Sequence, residues 1–458
     1  MRPLGVGIAA AASLLVACRA PAPTIVCPRG PSPNVVLVVI DDLSFDDAGP
    51  GRTDPRPETP RIDRIALEGA RFTHAYAAAA VCSPSRAAIQ TGNYPARLGI
   101  TDWIRARFQG GRNEIGLAPG ETTIAERLRD AGYATAHVGK WHLGDGAFAP
   151  ERQGYGVNAG GCDLGEPPSY FDPFERPPRL TGIPGLPPRR AGEYLVDREA
   201  DEACAFIRAN AGRPFLLHRA SYAIHTPHEA KPELVEKWTA RLGAERRRAA
   251  VAAAMIESLD AALGRVLEVL DDLDLSHRTL VVFTSDNGGL KSVSRIEPLR
   301  GEKGEPYEGG IRVPLFVRFP GAVPAGLVRE TPVGGIDLAP TIVSAAIGER
   351  LGLDGADLLA LLRAGAPDRL PREDLFWHFP HRRSETVGPW SAARWGSWKL
   401  VRWWAKGRDE IYDLAADPAE RRDLSRERPE VAREIARRLD AHLRETRATL
   451  PEGVNRSR

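Results

Sequence analysis

Lysine is scarce in this chain. Only seven of the 62 basic residues are Lys, and the rest are Arg. Arg is the default cation, so a Lys beside a glycine marks a place that wants a compact ammonium. Lys140 and Lys303 hold such positions. Cysteine is also sparse: the five thiols match no zinc spacing, which argues against a structural zinc site. Neither charge sign dominates. A formal net charge of +2 gives no reason to expect nucleic acid or a strongly acidic partner. No heptad run and no internal repeat is visible. The apolar stretch over residues 4–16 is too short to span a bilayer.

That stretch follows Met1-Arg2-Pro3 and ends in Leu15-Val16-Ala17-Cys18. The layout is that of a signal peptide over residues 1–18. Its ending resembles the bacterial lipoprotein box, which implies export to the cell envelope (periplasm or cell surface) and a membrane tether through lipidated Cys18. An ordinary cleaved signal with an incidental Cys18 is the alternative. Residues 19–33 are Pro-rich and aperiodic and read as a linker. An export compartment would permit one disulfide among Cys27, Cys162 and Cys204. Cys204 lies in a helical pattern and reads as a buried thiol.

The remainder suits one large α/β domain followed by a smaller one. Apolar content of 43% and charged content of 27% are ordinary for a globular protein. Continuous β-branched runs at 34–40, 279–284 and 313–319 predict buried strands, with shorter ones at 134–138 and from 215. His218 and Arg219 interrupt the last of these. Helical patterns cover 59–72, 123–132, 197–211, 249–270 and 337–347. This alternation predicts a mostly parallel sheet sandwiched by helices over residues 34–347. Residues 348–458 read as a smaller α+β subdomain, with antiparallel strands at 395–404 and 410–414 and a helix at 430–446. Residues 166–190 are Pro-rich and read as a surface excursion carrying Arg176, Arg179, Arg189 and Arg190, a tempting but weak case for contact with an anionic sugar.

Chemistry gathers at the predicted strand ends, where open α/β sheets bind ligands. Asp41-Asp42 follow one strand and Ser285-Asp286-Asn287 another. Their oxygens form a hard set suited to Ca²⁺ or Mg²⁺. Gly139-Lys140-Trp141-His142-Leu143-Gly144 and His225-Thr226-Pro227 leave the same edge, with His228 a competitor of His225. Lys303 sits in a Gly-punctuated loop. Cys82-Ser83-Pro84-Ser85-Arg86 opens a helix that stops at Gly92, with Ser83 as the expected N-cap and Pro84 as the first helical residue. A side chain there faces free N–H groups and a positive dipole end. Each motif alone has a bland reading as a cap, a turn or a core thiol.

Together they resemble the type I sulfatases of the alkaline phosphatase superfamily. Cys82-Ser83-Pro84-Ser85-Arg86 matches the family's Cys-x-Pro-x-Arg signature, and residues 139–144 match its second signature. Asp41-Asp42, Ser285-Asp286-Asn287-Gly288, residues 300–304 and 308–314, Ile411-Tyr412-Asp413-Leu414 and Asp417-Pro418 are supporting matches. The resemblance implies an alkaline-phosphatase-like fold and hydrolysis of a sulfate ester of a small molecule or saccharide. It implies that a maturation enzyme converts Cys82 to Cα-formylglycine, whose hydrate supplies the nucleophile. It implies a divalent metal, Ca²⁺ or else Mg²⁺, on Asp41, Asp42, Asp286, Asn287 and residue 82. Arg86 would orient the formylglycine, Lys140 and Lys303 would clamp sulfate, His142 would assist its release, and His225 would protonate the leaving oxygen. A phosphodiesterase or phosphonate monoester hydrolase of the same superfamily is the alternative. A lipid-anchored binding protein without catalysis is a third reading.

Overall fold

The strand Asn34–Ile40 is buried along its whole length and sits inside an eight-stranded sheet. The computed structural model describes residues 32–52, 57–105, 116–178 and 180–452. The expected signal peptide and most of the linker, with Cys18 and Cys27, lie outside the described residues, as does Arg179. Across the sheet the strands run Leu327–Arg329, Ala70–Phe72, Leu315–Arg318, Thr279–Ser285, Asn34–Ile40, Phe215–Ser221, Ala134–Gly139 and Val157–Ala159. Every neighbouring pair is parallel except those made by Leu315–Arg318, which is antiparallel to both its partners.

Strand pleat explains why the central run is apolar throughout. Val36, Val38 and Ile40 point into one core, shared with the helices Leu195–Ala209 and Arg247–Asp272. Val35, Leu37 and Val39 point into the other, shared with Ile124–Asp130 and Leu338–Ile347. The Thr123 capping box forms as expected, with Thr123 and Glu126 exchanging hydrogen bonds.

Two expectations need correction. The helix foreseen over 59–72 spans only Pro60–Leu67, because Ala70–Phe72 is taken into the sheet beside Leu315–Val317. His218 and Arg219 do not interrupt their strand, which runs unbroken through Phe215–Ser221. Both are buried and have partners. His218 Nδ1 lies 3.0 Å from Gln90 Nε2 and 3.2 Å from the Tyr155 hydroxyl. Arg219 sits 3.9 Å from the Glu199 carboxylate. Cys162 and Cys204 are both free and buried, so they do not form the disulfide that was left open between them.

The C-terminal part is a four-stranded antiparallel sheet of Asp374–Phe379, Trp390–Trp395, Trp398–Trp403 and Arg408–Asp413. The strand expected over 395–404 forms as Trp398–Trp403; Trp395 ends the strand before it, and Gly396, at φ 59°, turns the chain between them. Ile435, Leu439 and Leu443 of the helix Pro429–Glu445 cover one face. The other face packs Trp377, Trp390 and Trp403 against Tyr76, Val81, Ala88 and Tyr307. At this junction Lys399 is fully buried, 3.0 Å from Glu308 and 2.9 Å from Glu420. Removing the ammonium strands two buried carboxylates. Lys399→Met should therefore cost about 3–5 kcal/mol in denaturant unfolding. Adding Glu308→Gln and Glu420→Gln should recover much of that loss.

Candidate active site

Parallel register brings the motifs together. Ile40 lies beside Ser221 on one side and Ser285 on the other, so Asp41-Asp42 and Asp286-Asn287 leave the sheet at one edge. Gly139 pairs with Ala220, which adds the Lys140 turn. A Cβ on Gly139, at φ 93°, would stand 2.1 Å from the Ala220 carbonyl oxygen, so only glycine permits that approach. Asp42 and His142 also adopt left-handed backbone, at φ 61° and 58°. Such conformations cost energy and persist where the surroundings over-determine them.

The helix Cys82–Thr91 begins at Cys82 itself, with Val81 as N-cap. Ser83 is thus not the cap that the sequence suggested. Its hydroxyl donates to the His142 carbonyl at 2.9 Å and accepts from the Ile104 N–H at 2.9 Å. Gly92 does end the helix in left-handed conformation, at φ 75°.

Three ion pairs organise the interior. Lys140 Nζ lies 2.5 Å from Asp41 Oδ2, Lys303 Nζ 2.6 Å from Asp42 Oδ1, and Arg86 2.8 Å from Asp286 Oδ2. A further Arg86 nitrogen donates to the Lys140 carbonyl at 2.8 Å. Cys82 Sγ lies 3.6 Å from Asp41 Oδ1. Asn287 Nδ2 donates to Asp42 Oδ1 at 2.7 Å. Burial raises Asp41, and with the neighbouring acids it outweighs Lys140 and holds the group at about 7. Burial opposes ionisation of Asp42 too, but Lys303 and His225 overcome it and hold that carboxyl below its ordinary range. Burial, with neighbouring cations, lowers His142 and His225 well below the usual imidazole value.

His225 Nε2 is 3.7 Å from Asp42 Oδ2, and its Nδ1 lies 3.2 Å from the Thr226 carbonyl oxygen. His228 is not among the residues that line this pocket. His142 Nε2 meets the Ile104 carbonyl oxygen at 2.9 Å, and Nδ1 is buried without a partner. A carbonyl can only accept, so the His142 proton sits on Nε2 and Nδ1 is an acceptor.

Ligand atoms of Asp41, Asp42, Cys82 and His225 lie within 4.8 Å of one another. Asp42 Oδ2 and Asn287 Oδ1 are buried with no hydrogen-bond partner. Orphaned oxygens in a carboxylate cluster fit a hard divalent cation. Asp286 stands slightly apart, its Oδ2 held by Arg86.

The pocket over this floor is a cavity of about 430 Å³ that reaches Cys82, His142, His225 and Lys303. Its rim contains residues the motifs did not flag: Asp102, Trp103, Arg105, Glu166, Arg382 and Arg383. The described arginines of the 166–190 excursion are all committed to carboxylates. Arg176 pairs with Glu166 at 3.1 Å, Arg190 with Glu193 at 3.0 Å, and Arg189 with Glu193 and Asp201. The excursion is not wholly superficial either, since Tyr170 and Phe174 are buried in the core.

A mostly parallel sheet that gathers acids, lysines and histidines over a helix-borne cysteine defines a hydrolase of the alkaline-phosphatase-like fold. A family model described as Sulfatase matches residues 33–349, and one described as N-sulphoglucosamine sulphohydrolase, C-terminal, matches residues 302–449. The steryl-sulfatase of Mus musculus is 32% identical over 564 aligned positions, covering 98% of this chain and 87% of that one. Arylsulfatase A of Homo sapiens is 32% identical, covering 84% of this chain and 78% of its own length. The crystal structure of Ps i-CgsB in complex with k-i-k-neocarrahexaose superposes with a TM-score of 0.78 at 27% identity, covering 89% of this chain and 92% of that one. The chain belongs to the sulfatase family, within the alkaline phosphatase superfamily. By class it is a sulfuric ester hydrolase.

Ca²⁺ added to metal-stripped protein should raise the Tm. The gain should be about 2.7 kcal/mol at roughly a hundredfold excess over Kd. Asp42→Asn should abolish most of that shift, read by thermal denaturation without any substrate.

Proposed function

We propose that this protein hydrolyses a sulfate ester to an alcohol and inorganic sulfate, using Cα-formylglycine made from Cys82 and a divalent cation, Ca²⁺ before Mg²⁺. The observation that carries this reading is the position of Cys82. It is the first residue of a helix, beside Asp41, on the floor of a pocket that also exposes His142, His225 and Lys303. Burial pushes the Cys82 thiol up to about 12, against the pull of Lys140 and Lys303. An unmodified thiol would therefore stay protonated and be a poor nucleophile. Conversion to formylglycine, through its hydrate, would supply a hydroxyl instead.

Asp41, Asp42, Asn287 and residue 82 would hold the cation, with Asp286 completing the set. Bound there, it would lower the hydroxyl's pKa and neutralise sulfate charge. Arg86 orients the floor by tying Asp286 to the Lys140 turn. Lys140 and Lys303 place ammonium groups where sulfate oxygens gain charge in the transition state. His142 Nδ1 accepts a proton from residue 82 as sulfate is released. With Nδ1 on the Thr226 carbonyl, His225 would act as the imidazolium, favoured by the negative charge of the bound sulfate, and deliver its Nε2 proton to the leaving oxygen.

Sulfated saccharides and small sulfate esters both suit such a pocket. The complex of the relative Ps i-CgsB with an oligosaccharide supports the first. The alternative phosphodiesterase or phosphonate monoester hydrolase activity is favoured by no observation here. Maturation by a formylglycine-generating enzyme, export and a lipid anchor at Cys18 complete the proposal. Among the described residues no helix is long and apolar enough to cross a membrane.

Peptide mass analysis of active enzyme should show the Cys82 peptide changed by loss of H₂S and gain of one oxygen. Cys82→Ala should be inactive. Full activity with only the thiol present would refute the mechanism. His225→Ala should lose about 10²–10⁴-fold in kcat on alkyl sulfates. It should lose far less on 4-nitrophenyl sulfate, whose phenolate leaves without a proton. Equal losses on both would remove His225 from the acid role.

A further inference from the structure

The rim of the pocket is more basic than turnover of a single sulfate requires. Arg105, Arg382 and Arg383 all line it, and none forms an ion pair among the described residues. That is unusual here, because most other arginines near the site are committed to carboxylates. Arg86 is held by Asp286 and Arg176 by Glu166.

The acidic groups on the same rim do not neutralise them. Glu166 is occupied by Arg176 at 3.1 Å and by the Thr226 hydroxyl at 2.8 Å. Asp102 Oδ1 accepts from the Trp103 N–H at 2.8 Å and makes no ion pair, although His381, Arg383 and Arg105 all act on it. Asp102 is thus the one rim carboxylate without an ion pair among the described residues, and it shares the rim with three guanidinium groups, of which Arg105 and Arg383 act on it.

Placement adds direction. Arg383 lies against Gly304: a Cβ there would stand 2.1 Å from its guanidinium. Gly304 follows Lys303, so Arg383 adjoins one of the two lysines assigned to the scissile sulfate. Across the rim the Arg105 guanidinium stands 5.7 Å from the centroid of the Trp103 ring. Trp103 is 39% exposed, the only aromatic side chain among the exposed large apolar residues of the described chain. A guanidinium over an aromatic face keeps its N–H donors free for an oxyanion. Unpaired guanidinium groups at the mouth of a partly enclosed pocket repel one another until an anion arrives.

We propose that Arg105, Arg382 and Arg383 form an anion subsite that reads a second negatively charged group on the substrate, so that the preferred sulfate ester carries at least one further sulfate or carboxylate. This deepens the sulfatase reading above and rests on it. The added group would sit next to the scissile sulfate on the Lys303 side, within reach of bidentate guanidinium contacts.

The test is calorimetric binding with Ca²⁺ present, using Cys82→Ser protein, which cannot turn over. Three ligands separate charge from its source: galactose 6-sulfate, galactose 4,6-disulfate, and a monosulfated disaccharide bearing a uronate carboxylate. With the arginines intact, at least one doubly charged ligand should bind about tenfold or more tightly than galactose 6-sulfate, as expected for charged hydrogen bonds. Which one does so tells sulfate from carboxylate. In R382Q/R383Q the ratio of the two dissociation constants should fall towards one. The proposal is overturned if neither doubly charged ligand has an advantage, if the advantage survives R382Q/R383Q, or if none of the three binds. Hydrolysis of 4-nitrophenyl sulfate by the wild-type enzyme is measured alongside. Its failure, together with failure on alkyl sulfates, would count against the sulfatase reading, whereas normal turnover without the binding advantage would remove only the subsite.

Discussion

The pairing of buried charges is the constraint on which the rest of the site depends. Three carboxylates and three cations occupy one dry floor, matched as Asp41 with Lys140, Asp42 with Lys303, and Asp286 with Arg86. Buried ions are costly unless partnered, and breaking one such pair typically costs several kcal/mol. The matched set balances the charge of three buried acids at the strand ends. It also sets what the floor can accept. A divalent cation held by these carboxylates would compete with the lysine ammonium groups, which would then be free to meet an anion. A sulfate ester would supply that anion, which would make metal and substrate binding complementary in charge.

Arg86 gives this balance its geometry. Its guanidinium reaches the end of the Thr279–Ser285 strand through Asp286 and the Lys140 turn through the carbonyl. It is carried on the helix that begins at Cys82. One side chain thus fixes the position of Cys82 relative to two strand ends. A lysine could hold one of those partners but not both in the same plane.

Much of this could be read from the sequence, because the information is local. A continuous apolar run ending in two acids implies a buried parallel strand delivering carboxylates to its edge, and Asn34–Ile40 with Asp41-Asp42 is that case. The Thr123 capping box and the Gly92 stop are local in the same way. What failed was decided over long distances. His218 and Arg219 looked like interruptions because their partners (His137, Gln90, Tyr155 and Glu199) lie far away in the chain. Ser83 looked like a cap, yet its hydroxyl is claimed by His142 and Ile104. The helix after residue 59 shortened because a distant strand competes for Ala70–Phe72. The basic rim was invisible for the same reason. Arg105 and Arg382-Arg383 are far apart in sequence and carry no motif, whereas Arg176, Arg189 and Arg190, which did stand out, are tied to Glu166, Glu193 and Asp201.

The C-terminal sheet ties the floor of the pocket to its rim. Its inner face packs Trp377, Trp390 and Trp403 against Val81 and Ala88, immediately before and within the helix that carries Cys82. Trp390 Nε1 donates to the Gly304 carbonyl at 3.2 Å, which ties the Lys303 loop to the same sheet. Arg382 and Arg383 lie in the connection between Asp374–Phe379 and Trp390–Trp395, so they project over the pocket from strands that already brace its floor. Substitutions in that connection can alter what the rim recognises while leaving the three buried ion pairs in place. The buried tryptophans thus brace from one sheet both the helix that carries Cys82 and the loop that carries Lys303.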